Sequence, residues 1–171
     1  MSEPSSDAAQ GHAGAKSAAR LAAVQALYEM DVAGAMSGPV LGEFLKQRWT
    51  GRVAEEVGES ADGPAELTEP DTEFLRELVE GVVARKGEID EMLTAALTGT
   101  WTTERLEVLL RAILRAGLFE LLARADVPAR VVISEYVDVA HAFFEDTEPG
   151  LVNGVLDTLA KRLRETELSK G

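Results

Sequence analysis

The chain has no cysteine. That excludes a disulfide framework, a thiolate metal site and a cysteine nucleophile, and it suits a reducing compartment. An export signal is missing too: the N-terminal MSEPSSDAAQGHAGAK is small and polar, without the apolar middle region that secretion requires. The most apolar stretch, Glu104 to Ala123, is interrupted by Arg111, Arg115 and Glu120, which argues against a membrane span. A cytoplasmic protein without membrane attachment is expected. Positive charge is short, with 17 Lys and Arg against 30 Asp and Glu and a net charge of −13, a balance that at first speaks against nucleic acid. The excess is uneven, however. Eight acids and one base fall between Thr50 and Glu73, so a local basic patch elsewhere is compatible with the total.

Catalytic signatures are equally scarce. The chain contains no phosphate-cradling GxxxxGK[ST], no GxGxxG, no GxSxG, no HExxH and no calcium loop. Of the two histidines, His12 lies near the N-terminus and His141 has only Glu145 one helical turn later, a spacing that fits a solvated surface pair better than base chemistry. Neither an enzyme nor a cofactor is expected. Sustained period-two alternation is also missing. The Val-rich ARVVISEYVDVA comes closest, and its length and its three- and four-residue phasing favour a helix.

What is present is helical periodicity around one central stretch. In ERLEVLLRAILRAGLFELLA almost no polar face remains, so a helix here must be surrounded by others. At 1.5 Å per residue it would be roughly 30 Å long. Before it, residues 1–14 have the composition of a disordered tail. Leu21, Val24, Leu27 and Tyr28 mark the core face of a first helix from Ala15 to a stop at Gly34. Val40 to Trp49 reads as a short second helix, and 50–69 as an acidic mobile insert. Pro70 and Asp71 open a third, with Phe74, Leu75, Leu78, Val82 and Val83 inward, which Gly87 separates from a fourth carrying Ile89, Met92, Leu93 and Leu97. After the central helix, Val132, Tyr136, Val139, Ala140 and Phe143 mark a sixth. Val152, Val155, Leu156, Leu159 and Leu163 mark a seventh, with a charged tail behind it. Gly117 and Gly154, both inside helices, suggest close approaches of neighbouring helices. The expected fold is all-α: one domain over 15–165, built from an N-terminal bundle at about 15–98 and a C-terminal bundle at about 100–165.

AARLAAVQALYEMD, FLRELVEGV, LRAILRAGLFELL, ADVPARVVISEYVDVAHAFF and LVNGVLDTLAKRLR, in this order, resemble the NusB family of transcription antitermination factors. The resemblance covers 15–33 and 70–164. It implies two small helical bundles packed across each other, and no catalysis. It also implies binding of the boxA element of ribosomal RNA leader transcripts, together with the ribosomal protein NusE, in the transcription elongation complex with RNA polymerase. The family's basic stretch falls on Ala15 to Arg20, where this chain keeps Lys16 and Arg20 with Ser17 and Ala18 between them. RNA affinity of the chain alone is therefore expected to be low, with the partner supplying charge. Gln25 and Tyr28 match the family motif, and Phe143 matches the aromatic before the loop that precedes the last helix, where a ring can stack on an unpaired base. Phe144 replaces a usual glycine and is expected as the more exposed ring of the two. Tyr28 is expected on the core side, and Asn153 as a loop anchor. A homodimer hiding the first helix would compete with RNA. The alternative reading is a helical protein-interaction module of the same fold with little RNA affinity of its own.

Overall fold

The computed structural model of the chain describes residues 6–34, 70–97 and 106–165, with side chains from residue 14 onward. The expected helix at 40–49 and the acidic insert at 50–69 lie outside the described residues, as does Trp101. Among the described residues there are six helices and no strand: α1 Ser6–Ala33, α2 Thr72–Ala84, α3 Lys86–Ala96, α4 Val108–Ala123, α5 Ala129–Phe143 and α6 Glu148–Leu163. α1 begins before the expected Ala15, drawing in the segment SDAAQGHAG, whose alanines and glutamine favour the helix. It stops at Gly34, whose φ of 96° is a left-handed conformation that glycine adopts without steric cost.

α4 packs against each of the other five helices. Every residue from Ala112 to Leu121 is buried, all the way round the helix. Its neighbours are amphipathic. α2 buries Phe74, Leu75, Leu78, Val79 and Val82, α5 buries Val132, Tyr136, Val139 and Ala140, and α6 buries Val152, Val155, Leu156 and Leu159. α5 and α6 lie against each other and against α4, while α1 packs on α2, α4 and α5. Val83, expected inside, is 51% exposed because it sits one residue past the buried Val82, round the helix from the core.

Helix ends carry their own signals. Asp71 caps α2 by accepting a hydrogen bond from the Phe74 N–H at 3.0 Å, and the Asp71 N–H donates to the Ala15 carbonyl at 3.0 Å, which ties the start of α2 to α1. The break between α2 and α3 falls at Arg85 and not at Gly87, which lies within α3. Arg85 bridges forward to Glu88 at 2.9 Å. Arg164, read as part of a charged tail, is buried instead. Its guanidinium donates to the carbonyls of Leu121, Arg124 and Glu120 at 3.2, 2.7 and 3.3 Å, and to that of Val127. Those are last-turn and post-helix carbonyls of α4; Glu120 and Arg124 also accept from the Arg124 and Val127 N–H groups.

The glycines separate into two kinds. A Cβ on Gly117 would meet Leu156 Cδ1 at 2.9 Å and Tyr136 Cγ at 3.3 Å, the close approach its position suggests, and a Cβ on Gly81 would run into three ring atoms of Phe119 within 3.0 Å. Gly154 is the opposite case: it is exposed, and a Cβ there meets nothing within 4 Å, so no neighbouring helix accounts for it. Gly81→Ala is expected to lower stability by about 1–3 kcal/mol through overpacking, and Gly154→Ala to raise it by about 0.5–1 kcal/mol. Urea unfolding midpoints of the two variants should move in opposite directions.

Candidate nucleic-acid interface

The first turns of side chains described in α1 carry the two cations singled out above, and the structure treats them differently. Arg20 is 2% exposed. Its Nη2 lies 2.6 Å from Glu120 Oε1 and its Nε 3.0 Å from Glu120 Oε2, a two-pronged bond to a carboxylate that is itself completely buried on α4. Nη1 stands 3.6 Å from Glu135 Oε1 on α5, and the Ser17 hydroxyl donates to both oxygens of Glu135 at 2.9 and 3.0 Å. Burial works against the Arg20 charge, but the Glu120 hydrogen bonds and charge more than offset it and hold its pKa above the ordinary value. Tyr136 is buried beside them; burial first, and the Glu120 charge second, push its phenol well above the usual range, so it stays neutral. Arg20 is thus a bolt joining α1, α4 and α5, and its charge is spent inside the fold.

Lys16 lies one turn earlier on the same face of α1 and is partly exposed. Its Nζ sits 4.9 Å from the centroid of the Phe74 ring, half-buried along its stem. Arg20 and Arg124 approach the same ring at 5.2 and 5.1 Å. Arg124 is committed to Glu77 at 2.9 Å and Asp126 at 2.9 Å, and its hydrogen bond holds the Asp126 carboxyl below the usual range. The Lys16 charge also acts on the nearby Asp126 carboxylate, adding to the Arg124 hydrogen bond that holds its pKa down.

The remaining site residues are distributed along the surface. Gln25 is exposed, and Tyr28, expected on the core side, is 37% exposed one turn later. The α1 core face is filled by Ala19, Ala22, Ala23, Val24, Ala26 and Leu27, which leaves the tyrosine ring outside. At the end of α5 the expected order of the two phenylalanines is reversed. Phe143 is 40% exposed, whereas Phe144 packs against the core. The reason is that α5 ends at Phe143; Phe144 has extended backbone, with φ −130° and ψ 140°, so helical phasing no longer sets its direction. The same helix end leaves Glu145 outside the turn that would have aligned it with His141. Asn153, expected as a loop anchor, is exposed within α6. Among the described residues no group of three or more acidic or histidine side chains could hold a metal ion.

Sequence reasoning missed Glu120 and Glu135 as the partners of Arg20, and Asp31 and Asp90 as those of Arg115, which it reaches at 2.8 Å each. The signal was available: a glutamate and an arginine on a helix otherwise buried all round require partners. Removing one partner of the buried pair leaves an uncompensated charge, so Arg20→Ala is expected to cost about 3–5 kcal/mol, and Arg20→Met combined with Glu120→Leu to recover most of it. Urea titrations of the single and double variants check this; equal losses in both would contradict it.

The six described helices, five of them packed round the central one and pinned by buried ion pairs, define an all-α helical-bundle protein. The model of the NusB family matches residues 17–161, and the chain belongs to that family. It is 50% identical over 153 residues to the transcription antitermination protein NusB of Bradyrhizobium sp. strain ORS 278, covering 90% of this chain and 86% of the relative. It is 48% identical over 156 residues to that of Rhodopseudomonas palustris strain TIE-1, covering 91% and 84%. Among solved structures it resembles T. maritima NusB, with a TM-score of 0.62 at 26% identity over 84% of this chain and 88% of that one. It also resembles a chain of the crystal structure of antitermination factors NusB and NusE in complex with dsRNA, with a TM-score of 0.61 at 27% identity over 85% and 96%. The family is one of antitermination factors and not of enzymes.

Proposed function

We propose that this antitermination factor binds the boxA element of ribosomal RNA leader transcripts together with NusE, and supports processive transcription in the elongation complex with RNA polymerase. The observation that carries this reading is the 50% identity, across nine-tenths of the chain, to antitermination proteins. A structural relative bound to NusE and RNA supports it. Lys16 provides the phosphate contact, Gln25 and Tyr28 lie further along α1 on its solvent-facing side, about 180° and 120° round the helix from Lys16, and Phe143 offers a ring for stacking on an unpaired base. Arg20 acts as a positioning residue: through Glu120 and Glu135 it fixes the turn that carries Lys16. Phe144 packs against the core and is not part of the exposed surface.

Arg20 burial bears on the alternative. With one of the two cations of this turn spent on Glu120, the chain alone has little charge to offer RNA here, and it serves first as a platform for its partner. A net charge of −13 steers a basic ribosomal protein toward it. RNA affinity then arises in the complex. With NusE and boxA RNA present, Lys16→Ala should weaken RNA binding about three- to tenfold and lower the salt slope by about one unit without changing the unfolding midpoint. Unchanged RNA affinity in that variant would remove Lys16 from the site, and a wild-type complex that does not bind the RNA would overturn the function.

A further inference from the structure

The buried ring of Phe74 gathers the cations of Lys16, Arg20 and Arg124, and of these Lys16 alone contacts phosphate in the reading above. Arg20 is sealed inside the fold. Arg124 differs from both. It is partly exposed, and of its two carboxylate partners the side chain of Asp126 is 67% exposed. An ion pair so open to solvent contributes little to stability, so exchanging that partner for another anion costs little.

The guanidinium is used in two parts. Nη1 donates to Glu77 Oε2 at 2.9 Å, while Nε and Nη2 donate side by side to Asp126 Oδ1 and Oδ2 at 3.0 and 2.9 Å. That second edge is a fork that takes a carboxylate or a phosphate with the same pair of bonds. Arg124 is also held without Asp126: its carbonyl accepts from Arg164 Nη2 at 2.7 Å and from the Val127 N–H at 3.1 Å, Glu77 holds Nη1, and the guanidinium lies 5.1 Å from the Phe74 centroid. The fork therefore keeps its aim when the Asp126 side chain, which sits in the turn between α4 and α5, swings into solvent. Lys16 stands at the same place, with its Nζ 4.9 Å from the same centroid. The Arg124 hydrogen bond first, and the Lys16 charge with it, hold the Asp126 carboxyl low and ionised, so one anion already answers to both cations.

We propose that Asp126 is an internal stand-in for an RNA phosphate: when the strand reaches Lys16, a neighbouring phosphate displaces the carboxylate from the Nε and Nη2 edge of Arg124. Arg124 is then the second phosphate-binding cation of this surface, and the ligand itself releases it. The exchange keeps the affinity of the chain alone low, because the phosphate has to win the fork from a carboxylate two residues away. This assignment rests on the RNA-binding reading above.

The test titrates a boxA RNA with the full chain saturated with NusE, at several salt concentrations. Asp126→Asn keeps the side chain's shape at an exposed turn and removes its charge, and it should tighten RNA binding about threefold or more. A pair that serves only the fold predicts no such gain. Arg124→Gln should weaken RNA binding severalfold and lower the salt slope by about one unit. In that background Asp126→Asn should lose most of its gain, since no fork remains to be freed. RNA affinity unchanged or weakened in Asp126→Asn, with Lys16→Ala still weakening it, would overturn the exchange and leave the RNA reading standing. A gain that persists in full beside Arg124→Gln would be an effect of net charge and would overturn the exchange too. If the wild-type complex binds no RNA, both readings fall together.

Discussion

The carboxylate of Glu120, completely buried in the last turn of the central helix, has to be met by a cation, and the cation that meets it is Arg20 from the far end of the chain. A buried ion pair gains little over well-packed apolar residues, because desolvation consumes most of the Coulombic attraction. What it does is penalise every arrangement that separates the partners. α1 therefore has one axial position on α4, and with Glu135 and Ser17 joined to the same cluster it has one rotation as well. The surface that α1 presents follows from that constraint, including where Lys16, Gln25 and Tyr28 come to lie.

Two further arginines extend the same logic along α4. Arg115 reaches Asp31 near the end of α1 and Asp90 on α3, so α1 is held at its middle and near its C-terminal end by charges that face an otherwise apolar helix. Arg164 satisfies carbonyls at and beyond the C-terminus of α4 from behind α6, closing the last helix onto the hub. The apolar interior supplies the drive to fold, and these polar contacts set the register in which it packs.

Much of this was legible in the amino-acid order, for physical reasons that also mark where legibility ends. Leu110, Ile113, Leu114, Leu118 and Leu121 announce a helix buried all round, and Val152, Val155, Leu156 and Leu159 a helix buried on one side, because periodicity is local. Gly117 was read correctly from its place inside a buried helix. Gly154 was not, since whether a glycine answers to a neighbour depends on what lies across from it. Phe143 and Phe144 exchanged their expected exposures because the helix ends between them, and a helical wheel has no meaning past the last turn. Arg20 was the hardest to place. Its partner is 100 residues away, and an arginine near a helix start looks the same whether it faces phosphate or a buried glutamate.

On the proposed reading, the stretch matching the family's basic segment is divided between fold and RNA. Of the two cations matching the family's basic stretch, one holds the architecture and the other meets solvent, which makes partner-dependent RNA binding the central claim. The direct measurement is a fluorescence titration of boxA RNA with this chain alone and premixed with NusE, at two salt concentrations. Weak binding by the chain alone, together with strong, salt-sensitive binding by the pair, is the predicted result. Equally tight binding with and without NusE would contradict it, because Lys16 and its neighbours would then suffice without the partner's charge.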